Sequence, residues 1–283
     1  MILVDMNQVM ISNMMAQLGN HKNVEVDENM VRHMVLNSLR ANRVKFREEF
    51  GELVICCDDR NYWRRQLFPY YKASRRKARE DSEIDWNAVF TALNNIREEI
   101  KEFFPYKVLQ LEGCEADDII GTIVHKEGTL LNTGEPILIL SGDKDYIQLH
   151  SYMNVKQYDP TRKRWITHND PQQYLVEHVL KGDSGDGVPN VLSPDNCLVV
   201  GERQRPMTKK RLEEYNDINK MNDEVKRNYA RNRMLIDLSQ IPKEIQNTIL
   251  NEYAKENTND RSQLFNYFVN KKLKHLMADL QEF

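Results

Sequence analysis

Apolar residues are gathered in four short runs along this chain, residues 2–4, 53–57, 106–111 and 137–140, each bounded by polar or turn-forming residues. Their length is that of strands. Between them, apolar positions recur at helical spacing over residues 7–18, 28–47, 86–103 and 116–125. Strands alternating with helices are the signature of βαβ crossovers, so the pattern predicts an α/β fold on a mainly parallel, twisted sheet flanked by helices.

Beyond about residue 168 the strand signals fade. The remaining periodicity predicts helices over 171–180, 208–215, 222–235, 243–253 and 263–280. They are interrupted by the turn-rich stretch 181–189 and by residues 191–201, which have no clear period and read as an irregular loop. The 283 residues are thus expected to divide into an α/β domain, 1–168, and a C-terminal helical lobe, 169–283.

Cys56 and Cys57 are adjacent inside a predicted strand, and Cys114 and Cys197 are remote, so no C-x-x-C spacing arises. Buried free thiols in a reducing compartment fit better than a zinc site or a disulfide framework. No run is long enough to span a bilayer and no basic segment opens the chain. A soluble, cytoplasmic protein with no membrane partner is expected.

Candidate chemistry lies where the apolar runs end. Asp5 follows the first run and Asp58 the second; Glu115, Asp117 and Asp118 open the helix after the third; Asp143 and Asp145 follow the fourth; Asp183 and Asp186 flank glycines in the turn-rich stretch. In a parallel sheet the carboxyl ends of neighbouring strands converge on one crevice. So many carboxylates together are tolerable only around bound cations. Singly, each has an ordinary explanation as a cap or turn residue. Together they suit hard cations such as Mg²⁺, which take oxygen ligands and keep several waters.

Two such ions about 4 Å apart serve phosphodiester hydrolysis, one acidifying the attacking water and the other stabilising the leaving oxygen. A metal phosphatase with Asp5 as nucleophile is the competing reading, but Asn7 stands where a strand-Asp-x-Asp signal would put its second acid. His33, His125, His150, His168 and His178 show no zinc-ligand spacing and read as surface or structural residues.

The net charge of -3 conceals a segregation that bears on the substrate. Arg60 to Arg79 contains eight Lys/Arg and no acid: Arg64, Arg65, Lys72, Arg75, Arg76, Lys77 and Arg79 follow Arg60, interleaved with Tyr62, Trp63, Phe68, Tyr70 and Tyr71. Cations for phosphates and rings for bases suit single-stranded nucleic acid; a solvated basic helix is the plain alternative. Arg203, Arg205, Lys209, Lys210 and Arg211 form a second basic cluster behind the glycine loop. It fits either paired helices whose turns offer backbone N–H groups to a duplex or a basic helix start.

Several motifs together resemble the flap endonuclease, or 5′-nuclease, family, in particular its T-even-type bacteriophage members, over nearly the whole chain. They are Ile2-Leu3-Val4-Asp5, Val31-Arg32-His33, Tyr62-Trp63-Arg64-Arg65, Tyr70-Tyr71-Lys72, Glu115-Ala116-Asp117-Asp118, Ser141-Gly142-Asp143-Lys144-Asp145, Asn154-Val155-Lys156-Gln157, Lys181-Gly182-Asp183-Ser184-Gly185-Asp186 and Gly201-Glu202-Arg203. The resemblance implies a 5′→3′ exonuclease and 5′-flap endonuclease that acts on DNA and RNA–DNA duplexes and removes RNA primers during lagging-strand replication. Its implied cofactors are two Mg²⁺, with Mn²⁺ as a substitute.

By the family's pattern, Asp5, Asp58, Glu115 and Asp117, with Asp118 adjacent, would serve the ion nearer the attacking water. Asp143, Asp145 and Asp186 would serve the second, with Asp183 acting through water. Lys72 and Arg75 would reach the scissile phosphate. Arg64, Arg65, Tyr71 and Arg79, in a basic arch over about 60–85, and Arg203, Lys209 and Lys210 in the helical lobe would bind nucleic acid. Residues 191–200 intervene before Gly201, which implies a modified helix-hairpin-helix element. A monomer working with a sliding clamp and a single-strand-binding protein is expected, and residues 279–283 read either as a docking tail or as a frayed helix end. The rival function is a non-catalytic nucleic-acid-binding module with a vestigial site, against which every acidic position of the pattern is filled.

Overall fold

The computed structural model describes residues 1–18, 27–131 and 133–283. Its centre is a six-stranded sheet in the order β3-β2-β1-β4-β5-β6. Strands β1 (Ile2–Asp5), β2 (Leu53–Cys57), β3 (Lys107–Gln110), β4 (Ile137–Leu140) and β5 (Val155–Asp159) are parallel, and β6 (Arg164–Ile166) pairs antiparallel with β5. From β1 the chain builds outward through β2 and β3 on one side, then through β4 and β5 on the other. The order therefore reverses between β1 and β4, where a ligand crevice forms in such sheets.

The helices are α1 (Met6–Leu18), α2 (Glu28–Phe50), α3 (Trp63–Leu67), α4 (Ala73–Glu80), α5 (Trp86–Phe103), α6 (Ala116–Glu127), α7 (Pro171–Lys181), α8 (Lys209–Tyr215), α9 (Asp223–Ile236), α10 (Lys243–Ala254), α11 (Leu264–Asn270) and α12 (Lys274–Met277). The pleat sends Ile2, Val4, Ile55, Leu138 and Leu140 into one core, against α1, α2 and α5. It sends Leu3, Val54, Ile137 and Ile139 into the other, against α6. Burial on both faces explains the unbroken apolar runs. All four cysteines are buried and free.

Strands β5 and β6 were not anticipated, because β5 spends its inward positions on polar brackets. Gln157 Nε2 donates to the carbonyl of Ser141 at 2.9 Å and to that of Asp143 at 2.5 Å, and Asp159 accepts the N–H groups of Thr161 and Arg162. The helix expected over 263–280 is broken into α11, α12 and a 3₁₀ turn at Leu280–Glu282, with Lys272 in the left-handed region at φ 56°. A straight helix would have carried Lys271 and His275 along the buried stripe; the break delivers Leu273 and Leu276 instead.

The C-terminal helices occupy two places. Around α7 and α9, Val179, Val188, Leu235 and Ile236 pack on Phe68 and Tyr71, while Leu180, Val191, Met221 and Val225 form an adjoining cluster. Farther along, Leu238, Ile241 and Ile249 join the α6 face of the sheet, and Leu264, Phe268, Leu276 and Phe283 join the opposite face. Residues 279–283 are thus neither frayed nor a free docking tail: Phe283 is fully buried on Phe104 and Phe268, and Arg43 Nη1 donates to the Glu282 carbonyl at 2.8 Å.

Candidate active site

Each acidic residue reaches the crevice from a different element. Asp5 ends β1, and its carboxylate accepts from Ser141 Oγ at 3.0 Å, the Gln8 N–H at 3.2 Å and the Tyr146 hydroxyl at 3.3 Å. Asp58 follows β2 and is held by Asn7 Nδ2 at 2.9 Å and by the N–H of Ala116, in the first turn of α6, at 2.7 Å. Asn7, the departure from an Asp-x-Asp signal, is therefore a brace for a neighbouring acid. Asp117 lies on the first turn of α6 and receives the Tyr146 hydroxyl at 2.5 Å. Asp143 caps the 3₁₀ segment Lys144–Ser151, accepting the Asp145 N–H at 3.0 Å.

The loop after α7 brings in the last two acids. Asp183 accepts the N–H groups of Gly185 and Asp186 at 2.8 and 3.1 Å. Two glycines are required here. At Gly182 (φ 67°) a Cβ would stand 2.5 Å from the carbonyl oxygens of Val188 and Pro189, and at Gly187 (φ 74°) it would stand 2.7 Å from that of Tyr70. The close approach at Gly187 lets the Lys72 N–H donate to the Asp186 carbonyl at 2.7 Å, fastening the basic segment to the loop.

Crowding leaves an electrostatic signature. Burial first, and then Asp58 and Asp143, pushes Asp5 up to about 7. Burial followed by neighbouring carboxylates also raises Asp117 and Asp145 far above the usual range, and raises Asp143. These groups lack the positive charge that would let them all ionise, which is the condition a bound divalent cation satisfies. Asp145, His178 and Asp183 can each direct one ligand atom into a group spanning 4.8 Å. Beside them, Asp117, Asp145, Asp183 and Asp186 line a small cavity of about 10 Å³.

Glu115 and Asp118 stand differently. Arg64 Nη1 donates to Glu115 at 3.0 Å and to Asp118 at 2.7 Å, and its Nε donates to the Leu235 carbonyl at 2.9 Å. Burial would raise Glu115, but Lys72 and Arg64 outweigh it and hold the carboxyl low. Three of the expected site residues are enclosed here. Arg64, 2% exposed, is a buried counter-charge to Glu115 and Asp118. Asp118 is fully buried and committed to Arg64, the Glu115 N–H and Trp63 Nε1, bracing the start of α6. Tyr71 is 3% exposed and offers no ring for a base; its hydroxyl lies 3.0 Å from both Glu115 Oε2 and Asp186 Oδ2.

Above the acids opens a cleft of about 600 Å³ whose lining includes Asp5, Asp58, Asp117, Asp143 and Asp186. Lys72 and Arg75 stand at its edge, ion-paired with Glu115 and Asp186 respectively. Arg65 and Arg79 also line it, while the side chain of Lys77 lies outside the described residues. The far wall was not anticipated: Phe90, Asn94 and Arg97 face the cleft from α5. Their i, i+4, i+7 spacing is the signal that would have found them. Arg203, Lys209 and Lys210 are exposed at and before the start of α8 and are not among the residues that line this cleft.

This arrangement belongs to a known class: the chain is a member of the 5′-3′ exonuclease family. A family profile described as 5′-3′ exonuclease, N-terminal resolvase-like domain, matches residues 1–179, and one described as T4 RNase H, C terminal, matches residues 170–283. Among individual relatives, the ribonuclease H of Enterobacteria phage T4 is 33% identical over 295 residues, covering 99% of this chain and 95% of that protein. Flap endonuclease Xni of Shewanella pealeana is 30% identical over 137 residues, 46% of this chain and 48% of its own length.

In fold, the chain is similar to the bacteriophage T5 flap endonuclease solved as a pseudo-enzyme-product complex with DNA and metal ions, with a TM-score of 0.62 at 15% identity, covering 90% of this chain and 99% of that one. T5 5′-exonuclease with bound divalent zinc gives a TM-score of 0.60 at 16% identity, over 89% and 97% of the two chains.

Proposed function

We propose that this 5′-nuclease hydrolyses phosphodiester bonds near 5′ ends and flaps in DNA and RNA–DNA duplexes, using two divalent cations, Mg²⁺ or Mn²⁺. The observation that carries the reading is the convergence of carboxylates from β1, β2, α6, the β4 end and the α7 loop beneath a cleft walled by Arg65, Arg75, Arg79 and Arg97. Bound there, the ions would activate the attacking water and neutralise charge on the leaving oxygen. Asp5, Asp58 and Asp117 would hold one, with Glu115 behind them, and Asp143, Asp145 and Asp186 the other, with Asp183 acting through water.

Lys72 is not a base. Burial would lower its pKa, but Asp186 and Glu115 outweigh this and raise it, so the ammonium stays charged and can stabilise a phosphate in the transition state. Arg75, exposed over Asp186, would do so from the other side. Arg65 and Arg79 would guide a single strand, and Arg203, Lys209 and Lys210 a duplex, which divides the labour between the nuclease part, 1–168, and the helical part, 169–283. The reading extends to a monomer acting on lagging-strand RNA primers in the host cytoplasm beside a sliding clamp and a single-strand-binding protein.

Asp145→Asn tests it: Mg²⁺-dependent cleavage of an end-labelled 5′-flap substrate is expected to vanish while substrate binding stays within a few-fold. Normal turnover by the variant would remove the assignment of the second ion.

A further inference from the structure

We propose that His178 is a nitrogen ligand to the cation bound at Asp145, and that this makes the second ion position selective for Mn²⁺ and other borderline metals over Mg²⁺. The inference rests on the reading that a divalent cation sits at these acids.

His178 stands in the last turn of α7, and Gly182 turns the following chain back so that Asp183 returns over the imidazole. The two ring nitrogens face two carboxylates: Nδ1 lies 3.7 Å from Asp145 Oδ1, and Nε2 lies 3.7 Å from Asp183 Oδ2. Such a gap is too long for a hydrogen bond. On the Nδ1 side it is the separation expected of two donors that share one ion, because atoms each about 2.1 Å from a metal stand roughly 3 to 4 Å apart.

A second observation singles out Nδ1, which is buried and has no hydrogen-bond partner. Buried polar atoms are ordinarily satisfied, so an orphan nitrogen facing a carboxylate points to a ligand shared between the two. The ring is only 14% exposed, and Tyr174 packs on it with ring centroids 5.8 Å apart. Asp183 stands opposite Nε2, beyond hydrogen-bond distance, so that a closer approach on metal binding would supply the acceptor a ligating histidine uses to fix its tautomer and orientation.

The choice of metal follows from the donor. Mg²⁺ takes oxygen and sheds water reluctantly. Mn²⁺, Co²⁺ and Zn²⁺ accept imidazole, with affinity rising along the series from Mn²⁺ to Co²⁺. An otherwise all-oxygen site with one nitrogen therefore gains most for a metal other than Mg²⁺.

The test is pulsed EPR of the full-length chain loaded with substoichiometric Mn²⁺, together with calorimetric titration of Mn²⁺ and Mg²⁺. Electron spin-echo modulation from one ¹⁴N nucleus is expected in the parent and not in His178→Gln. The variant's Mn²⁺ affinity should fall at least about tenfold, with Mg²⁺ affinity within about threefold. Bound Mn²⁺ without nitrogen modulation in the parent, which needs no variant to interpret, overturns the inference alone. Persistence of the modulation in the variant assigns the nitrogen elsewhere and also overturns it. Mn²⁺ that does not bind at all removes the cation reading of the site as well.

Discussion

The Tyr146 hydroxyl lies 2.5 Å from Oδ1 of Asp117 and 3.3 Å from Oδ2 of Asp5, tying the end of β1 to the first turn of α6. The phenol is fully buried, so it cannot leave this position by a rotamer change. Tyr146→Phe keeps the ring packing and removes the tie. Metal affinity should weaken by roughly 10- to 100-fold, seen as a higher Mg²⁺ requirement in single-turnover cleavage. An unchanged Mg²⁺ titration would show that Asp5 and Asp117 are positioned without it.

Lys72 adopts the left-handed backbone region at φ 55°, a costly conformation for a non-glycine residue that its anchoring to Asp186 sustains. Lys72→Ala should lower the single-turnover rate by about two orders of magnitude. A loss confined to substrate affinity would make it a docking residue.

Two kinds of arginine are separable in solution. Arg64→Met strands Asp118 in the interior and removes one of the two cations on Glu115, and should cost roughly 3–5 kcal/mol in denaturant unfolding. Arg203→Ala and Lys209→Ala should leave unfolding unchanged and each reduce the salt slope of duplex binding by about one. An unchanged slope would remove this surface from the binding account.

Glu99 carries the pH dependence that is easiest to isolate. Burial works to raise its carboxyl, but hydrogen bonds from Arg32, Lys271 and Tyr267 outweigh it and leave it below the usual glutamate range. A carboxyl more acidic when folded adds stability that is complete above its unfolded pKa of about 4.3 and is lost as the pH falls through the lower folded value. Glu99→Gln should therefore cost about 3 kcal/mol at pH 7, and the gap between parent and variant in denaturant titrations should begin to narrow as the pH falls beneath the unfolded value and close only below the folded one.

Divalent cations should stabilise the folded chain, because the unfolded chain has no such site. At 100 times the dissociation constant, Mg²⁺ should add about 2.7 kcal/mol per ion, visible as a rise in Tm that shrinks in Asp145→Asn. A Tm indifferent to Mg²⁺ in the parent would contradict the cation reading.

The parallel sheet and the convergence of its acids were legible because β1, β2 and β4 are apolar on both faces and end in carboxylates. What escaped had its signal inverted. In β5, Gln157 and Asp159 are buried polar residues, so the strand reads as a loop. Arg64 and Tyr71 sit in a segment whose composition suits nucleic acid, yet tertiary packing turns them inward, a distinction local sequence does not carry. His178 acquires its place only when the loop through Gly182 folds Asp183 back upon it, a contact of geometry rather than spacing.

The hydrogen bond from the Lys72 N–H to the Asp186 carbonyl, with Gly187 pressed beneath Tyr70, joins two pieces of chain far apart in sequence. It acts as a mechanical linkage. On the proposed function, a strand that drew the basic segment toward itself would also draw the loop carrying Asp183 and Asp186, so that seating the substrate and tightening the cation's cradle would be one motion. Discrimination between correct and incorrect ends would then reside in the fit of the metal centre itself.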